Sequence, residues 1–331
     1  MDWEAAQVSP RGPGPRELLE IAAVATRYYR DGWSKVDIAE DLKVSRFRVA
    51  RLLGLAHTLG IVHIDIQVPD AINPDLSAQL ARRFGLRQAI VVDTPDEPVE
   101  HLRADLGRVA AGLVAEVVNE GDVVGIAWGR TVNAMTDNLA DIRRCSIVQM
   151  TGALSGSDVT DNAIDLVRRM SQVSGGTAYP IYAPLMLDDP AAAKAFKAQA
   201  QVAGAFSWYD KVNVAIIPIG SWDPPSSQLY DSLNESDRQE LLASGVRVDT
   251  STVMLDAAGE VVVTPVSERF IGITGEELRR IPEVVAVAGG RDKAEAIAIA
   301  LGSGFITTLI TNASVARQLL EYPATGSPSA G

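Results

Sequence analysis

Four basic side chains, Lys43, Arg46, Arg48 and Arg51, fall between residues 43 and 55 with no acidic residue among them. Arginine can take guanine O6 and N7 together or hold a phosphate, so a basic stripe of this kind on a helix is a candidate DNA-reading surface. Two other short runs carry a different chemistry. Trp128-Gly129-Arg130-Thr131 and Gly289-Gly290-Arg291-Asp292-Lys293 each follow an apolar stretch and precede a helical one. Backbone N–H groups at such a helix start attract anions, and an arginine, a threonine hydroxyl and a lysine add charged and neutral donors. Neither run fits a nucleotide P-loop or a G-x-G-x-x-G fingerprint. Taken singly, each is equally well a tight strand-to-helix turn.

The elements needed to present the basic stripe are legible around it. From Glu17 to Arg30 the residues Leu18, Ile21, Val24, Ala25 and Tyr28 recur at helical spacing, and Gly32 is a plausible stop. Ser34 followed by Asp37 forms an N-terminal capping pair for a second helix ending near Leu42, and Ser45 caps a third through Leu53. A helix-turn-helix needs a small residue at the crossing and apolar seats for the second helix; Ala39, Val44 and Val49 supply them. The exposed face of the third helix then carries Arg46, Phe47, Arg48 and Arg51 behind its cap Ser45, with Ser34 and Lys35 placed for phosphates. The turn position that glycine usually fills is Lys43, which predicts a small left-handed penalty. The competing reading is three helices that merely pack, with the arginines as a solvated face. The alternating run Ile61–Val68 reads as a strand or wing.

Beyond Pro69–Pro74, which reads as a linker, apolar β-rich segments at Ala89–Val92, Val123–Ala127, Ile147–Met150, Val212–Ile219, Val284–Ala288 and Phe305–Ile310 alternate with helical stretches. That alternation predicts an α/β domain with a mostly parallel sheet, in which ligands sit at the carboxyl ends of strands. The expected organisation is a flexible arm over 1–14, a winged helix-turn-helix DNA-binding domain over 15–68, the linker 69–74, a Rossmann-like effector domain over 75–322 and a disordered tail over 323–331.

Bulk composition bounds the rest. The chain has 331 residues and a net charge of −12. Through Gln67 it holds nine Lys/Arg and nine Asp/Glu, and the remainder carries 21 bases against 33 acids, so the negative charge lies outside the basic stripe. No apolar run approaches a bilayer span, the opening residues Met1-Asp2-Trp3-Glu4 lack a secretory pattern, and the single Cys145 suits a reducing compartment. A cytoplasmic protein is expected, without membrane partner, cofactor or metal; His57, His63, His101 and Cys145 show no zinc-ligand spacing.

Several of these runs together resemble the SorC family of bacterial sugar-responsive transcriptional regulators, from about Glu17 to Leu320. The resemblance rests on Ala25-x-x-Tyr28-Tyr29, Ile38-Ala39-Glu40-x-Leu42, Val44-Ser45 and Val49-x-Arg51-Leu52-Leu53, then on Gly125–Thr131, Ile281-Pro282 and Val287–Ile297. It implies double-stranded operator DNA and a small sugar, polyol or sugar phosphate as partners, and a homodimer or homotetramer. It also implies an effector domain similar in fold to sugar-phosphate isomerases and deaminases, with the two glycine loops converging on one phosphate. Gly129, Arg130, Thr131, Gly289, Gly290 and Lys293 would then hold the effector, Lys293 as counter-charge. Where the family often has Asn-Asp before an arginine, this chain has Ser267-Glu268-Arg269, making Glu268 and Arg269 further candidates for sugar hydroxyls or an internal ion pair. The recognition helix lacks the family's common hydroxyl-rich run. Tyr182 and Asp223 are weaker candidates in loops after strands.

The main alternative is a sugar-phosphate isomerase or deaminase-like enzyme carrying a DNA-binding head; a scaffold without ligand is a third reading. Such enzymes need a placed acid/base, usually a carboxylate helped by histidine. In the second domain the only histidine is His101, and the Asp-Gly-His cluster of the deaminases is replaced by Gly220–Pro225. No catalytic residue is therefore assigned.

Overall fold

The computed structural model describes residues 13–63, 71–154 and 163–322. The chain divides into two compact units, one ending at Gln67 and the other beginning at Val68.

In the smaller unit, α1 (Pro15–Ala25) runs on into a π-helical turn, Thr26–Arg30, before Gly32 reverses the chain at φ 74°. Helix α2 (Lys35–Asp41) starts from a complete capping box. The Asp37 amide donates to Ser34 Oγ, and the Ser34 amide donates back to the Asp37 carboxylate, each at 3.2 Å. Helix α3 (Arg46–Thr58) is capped by Ser45, which accepts from the Arg48 amide, and outruns the expected end at Leu53 because Leu52, Leu53 and Ala56 keep its buried face going. These residues close over Ile21, Val24, Ile38, Ala39 and Val49. Lys43 holds the turn between α2 and α3 at φ 53°, the left-handed conformation that its position demanded. Of the expected wing, Ile61–His63 is not extended strand, and 64–70 lie outside the described residues.

The larger unit opens earlier than the expected linker end. Ile72 bridges Val92, the Asn73 amide donates to the Val91 carbonyl at 2.7 Å, and Asn73 caps α4 (Pro74–Phe84). Then follow β1 (Gln88–Val92), α5 (Val99–Val117), β2 (Val123–Ile126), α6 (Arg130–Asn138), β3 (Ser146–Gln149), α7 (Ala163–Ser174), β4 (Ala178–Tyr179), α8 (Pro190–Lys197) and α9 (Ala200–Phe206). The second half holds β5 (Val214–Ile217), β6 (Gly220–Ser221), α10 (Gln228–Ser232), α11 (Glu235–Ala243), β7 (Val248–Thr250), β8 (Val253–Leu255), α12 (Gly275–Arg280), β9 (Glu283–Val287), α13 (Ala294–Gly302), β10 (Thr308–Asn312) and α14 (Ala313–Glu321).

The main sheet is parallel throughout, in the order β4-β3-β2-β5-β9-β10-β1. Its central strands are buried on both faces, which is why they read as continuous apolar runs instead of alternating ones. Within β5, Val214 and Ile216 pack toward α5, α6 and α7, while Ala215 and Ile217 face α13 and α14. From β2 the next strand, β3, lies on one side; from β5 the next parallel strand, β9, lies on the other. The order therefore reverses between β2 and β5, leaving a crevice at their carboxyl ends. Sequence periodicity did not foresee the second sheet, the short antiparallel β6-β7-β8, whose strands are only two or three residues long.

Candidate functional site

A cavity of about 290 Å³ sits at that reversal. The turn after β2 brings Gly129, Arg130 and Thr131; the turn after β9 brings Gly289, Gly290 and Lys293; all six line the same space. Gly129 is in extended backbone and allows the turns after β2 and β5 to cross, since a Cβ there would lie 2.7 Å from the Pro218 side chain. Gly129 thus admits Pro218 beside it while still lining the cavity. Helix α6 has no side-chain cap, so the donors of its first turn depend on a partner other than a cap.

Lys293 is the centre of the charge. Its Nζ donates to the Ile219 carbonyl at 2.8 Å, which spends one of three donors and anchors the head. Burial pushes its ammonium down to about 8; Asp249 pulls it up, while the charges of Arg130 and Arg103 push it further down. Burial is thus the main reason the ammonium is disfavoured, and the Asp249 charge offsets it only in part, a condition that a bound anion relieves. Arg130 is held only loosely, 3.7 Å from Asp231.

The second glycine loop departs from expectation. Its Gly290 amide donates to Asn312 Oδ1 at 3.1 Å, and its Arg291 amide donates to Asp96 at 3.0 Å, so these two amides are already engaged. Gly290 itself sits at φ 100°, where a side chain would be strained. Asp96 also accepts from Asn312 and Ser314. Burial opposes its ionisation, but the hydrogen bonds from Ser314, Asn312 and the Arg291 amide, with the Arg291 charge, outweigh it and hold the carboxyl below its ordinary value.

Asp249 is the functional candidate that sequence reasoning missed. It is 5% exposed on β7, lines the cavity, and accepts from Trp222 Nε1 at 2.7 Å. Burial raises its carboxyl, against the hydrogen bonds from Ser227 and Trp222 and the charge of Lys293. Gly220 must lack a side chain there, because a Cβ would fall 2.5 Å from the Asp249 carboxylate. The one available signal was an acid directly after the alternating Val246-Arg247-Val248. Asp96 and the Pro218–Gly220 turn were more accessible to inference, since Asp96 follows one predicted strand and the turn ends another.

Glu268 and Arg269 are not at this cavity. They form a 3-10 turn elsewhere, where Arg269 donates to the Asp237 carboxylate at 2.6 Å and to the Leu187 carbonyl at 2.8 Å. The ion pair weighed for this segment exists, with Asp237 as the acid. Tyr182 and Asp223 are exposed and do not line this cavity. His101 is exposed on α5, and burial pushes the Cys145 thiol up, which keeps it protonated.

On the smaller unit, Arg46, Phe47 and Arg51 are exposed on α3, with Phe47 at 89%. Among the described residues neither Arg46 nor Arg51 is in an ion pair. Arg48 departs from expectation: it turns back onto α1 and grips Glu20 with two hydrogen bonds of 2.9 and 3.1 Å. The Ser34 hydroxyl is committed to its capping box, and Lys35 Nζ lies 5.5 Å from the Tyr28 ring centre.

With this geometry in place, comparison with known proteins is informative. Residues 72–321 match the model of the sugar-binding domain family Sugar-bind. The sorbitol operon regulator of Klebsiella pneumoniae is 28% identical over 318 residues, covering 92% of this chain and 98% of its own. The full-length crystal structure of that regulator, SorC, superposes with a TM-score of 0.71 over 92% of this chain and 99% of its own, at 26% identity. The chain belongs to the SorC family of transcriptional regulators. The deoxyribonucleoside regulator of Bacillus subtilis, 26% identical over 309 residues, likewise covers 92% of this SorC-family chain and 99% of its own length. The α/β fold with its parallel sheet agrees with the family's sugar-binding domain. Among the described residues, no helix of this SorC-family protein is long and apolar enough to cross a membrane.

Proposed function

We propose that this regulator binds double-stranded operator DNA through α3 and that a sugar phosphate in the cavity at the strand reversal controls that binding. The observation that carries the effector reading is the meeting of Arg130 and Lys293 around one cavity of ligand size. The phosphate would take the α6 first-turn amides, Arg130 and Lys293; Asp249 and Ser227 would accept from or donate to sugar hydroxyls. Helix dipole, guanidinium and ammonium then act on one anion in a partly dry space, where charge-assisted bonds are strongest. The small cavity favours a single monosaccharide-sized ligand.

A proton balance tests this. Lys293 carries its charge below about pH 8 and loses it above. A phosphate bound beside it raises its pKa, so binding takes up a proton between about pH 8 and the ordinary lysine range near 10.4. Inorganic phosphate titrated calorimetrically at pH 8.5, in buffers of different ionisation heat, should therefore show proton uptake. Its affinity should fall by roughly tenfold from pH 7.5 to 9.5. A flat profile over that range would refute the assignment of Lys293 to the anion.

On the DNA side, Arg46, Phe47 and Arg51 are the readers, and Arg48 serves the scaffold through Glu20. Two heads of a homodimer, or of a pair within a homotetramer, would meet successive major-groove faces about 34 Å apart. Arg46→Ala and Arg51→Ala are each expected to weaken operator binding by about 1–3 kcal/mol if they read bases. If they hold phosphate, each should instead lower the salt slope by about one. Arg48→Ala should do less than either in the same mobility-shift series; the reverse order would reassign the reading face. Coupling of about 1–3 kcal/mol between effector and operator suffices for switching. We read the cavity as non-catalytic: no histidine is among the lining residues, and Asp249 is tied to Trp222 and Ser227 instead of being free to shuttle protons.

A further inference from the structure

The larger unit contains a second cavity, of about 480 Å³, that shares no lining residue with the first. The β7–β8 turn separates them: Asp249 and Ser251 line one, Thr252, Val253 and Met254 the other. Its floor is apolar and buried, made by Val253, Met254, Phe270 and Ile273. Its wall is α8, which contributes Lys194 and Lys197. Glu268, the residue expected at the sugar site, lies at this groove instead.

Lys197 is the informative group. It is half-buried, yet among the described residues it has no hydrogen bond and no ion pair. Burial lowers its pKa, and the charges of Glu277 and Glu268 only partly restore it. An ammonium half removed from water beside an apolar floor is matched by a ligand with one anionic end and a hydrocarbon body. A dry protein–protein seam fits less well, because it would bury the same lysine further without a partner.

We propose that this groove is a second ligand site, for a small organic anion with an apolar body, its acid group on Lys197 and its hydrocarbon part on the Val253–Met254–Phe270 floor. Lys194, exposed on the next turn of α8, adds attraction at the entrance. The site is independent of the sugar-phosphate reading and stands or falls separately from it.

The experiment uses the full chain and the fluorescent sulfonate 1-anilinonaphthalene-8-sulfonate, with octanoate as competitor. Binding should be saturable, displaced by octanoate and not by inorganic phosphate at equal concentration. Lys197→Gln should weaken both ligands at least tenfold, and Lys197→Arg should retain binding within about threefold. Because Lys197 is unpaired, neither change should lower the melting temperature, which provides the folding control. Affinity within twofold of the parent in Lys197→Gln would overturn the proposal, as would displacement by phosphate alone. It would equally be overturned if the probe bound only after Val263→Glu, a change at the 70% exposed rim residue, had split a larger species in sedimentation. That result would give the groove to a second copy of the chain.

Discussion

Lys293→Met should leave operator binding without effector unchanged and abolish the response to phosphorylated ligands. The physical grounds are local. The lysine head is anchored on the Ile219 carbonyl, faces Asp249, and sits in the combined field of Arg130 and Arg103. Truncating one partner of a buried, charge-assisted contact removes about 2–5 kcal/mol, roughly 30-fold to several-thousand-fold in affinity. Methionine keeps most of the volume and removes a group that burial disfavours, so the fold should tolerate it. Asp249, already raised by burial, would lose the nearby cation that lowers it and be raised further. The measurement is a calorimetric titration with glucose 6-phosphate and inorganic phosphate, run beside mobility shifts on the same preparation. Retained affinity for both anions would move the phosphate site elsewhere; lost operator binding would mean that the substitution had damaged the molecule as a whole.

Arg269→Met should be the most destabilising of the substitutions considered, and should leave anion affinity close to the parent value. Arg269 and Asp237 form an ion pair of 2.6 Å, with side chains 15% and 9% exposed, and the guanidinium also holds the Leu187 carbonyl at 2.8 Å. Asp237 is meanwhile part of the first turn of α11, where Asn234 caps its amide. Removing the arginine leaves a buried carboxylate without its cation, which costs about 3–5 kcal/mol. The double change Arg269→Met with Asp237→Leu should recover most of that loss, because an apolar pair of similar volume avoids the desolvation. Chemical denaturation of the single and double variants gives the answer. A single variant within 1 kcal/mol of the parent would show the pair to be effectively solvated; a specific loss of sugar-phosphate binding at unchanged stability would return Arg269 to the effector site.

Both expectations start from residues that the sequence had already singled out, and the two fared differently in the fold. The helix caps at Ser34 and Ser45, the crossing residue Ala39 and the central strands were legible because each is governed by neighbours within a few positions. Hydrogen bonding at a cap, the 3.6-residue period and the continuous apolar run of a two-sided strand are local quantities. For the same reason Gly129–Thr131 and Gly289–Lys293 were recognisable as turns from strand to helix.

What local pattern left undecided was who meets whom across the chain. Arg48 was as good a DNA-reading candidate as Arg46 until α1 placed Glu20 28 positions away within reach of its guanidinium. Arg269 found its acid 32 residues upstream, while Asp249 entered the cavity on a three-residue strand too short to have a period. The Gly290 and Arg291 amides, open by sequence, were taken by Asn312 and Asp96 from other strand ends. By itself the amino-acid order determined the elements and the kinds of charge at their ends, because those depend on adjacent residues. Only the tertiary structure decided which charges are satisfied internally and which remain for a ligand, because pairing energy depends on distance and burial, and both are set by the order of strands in the sheet.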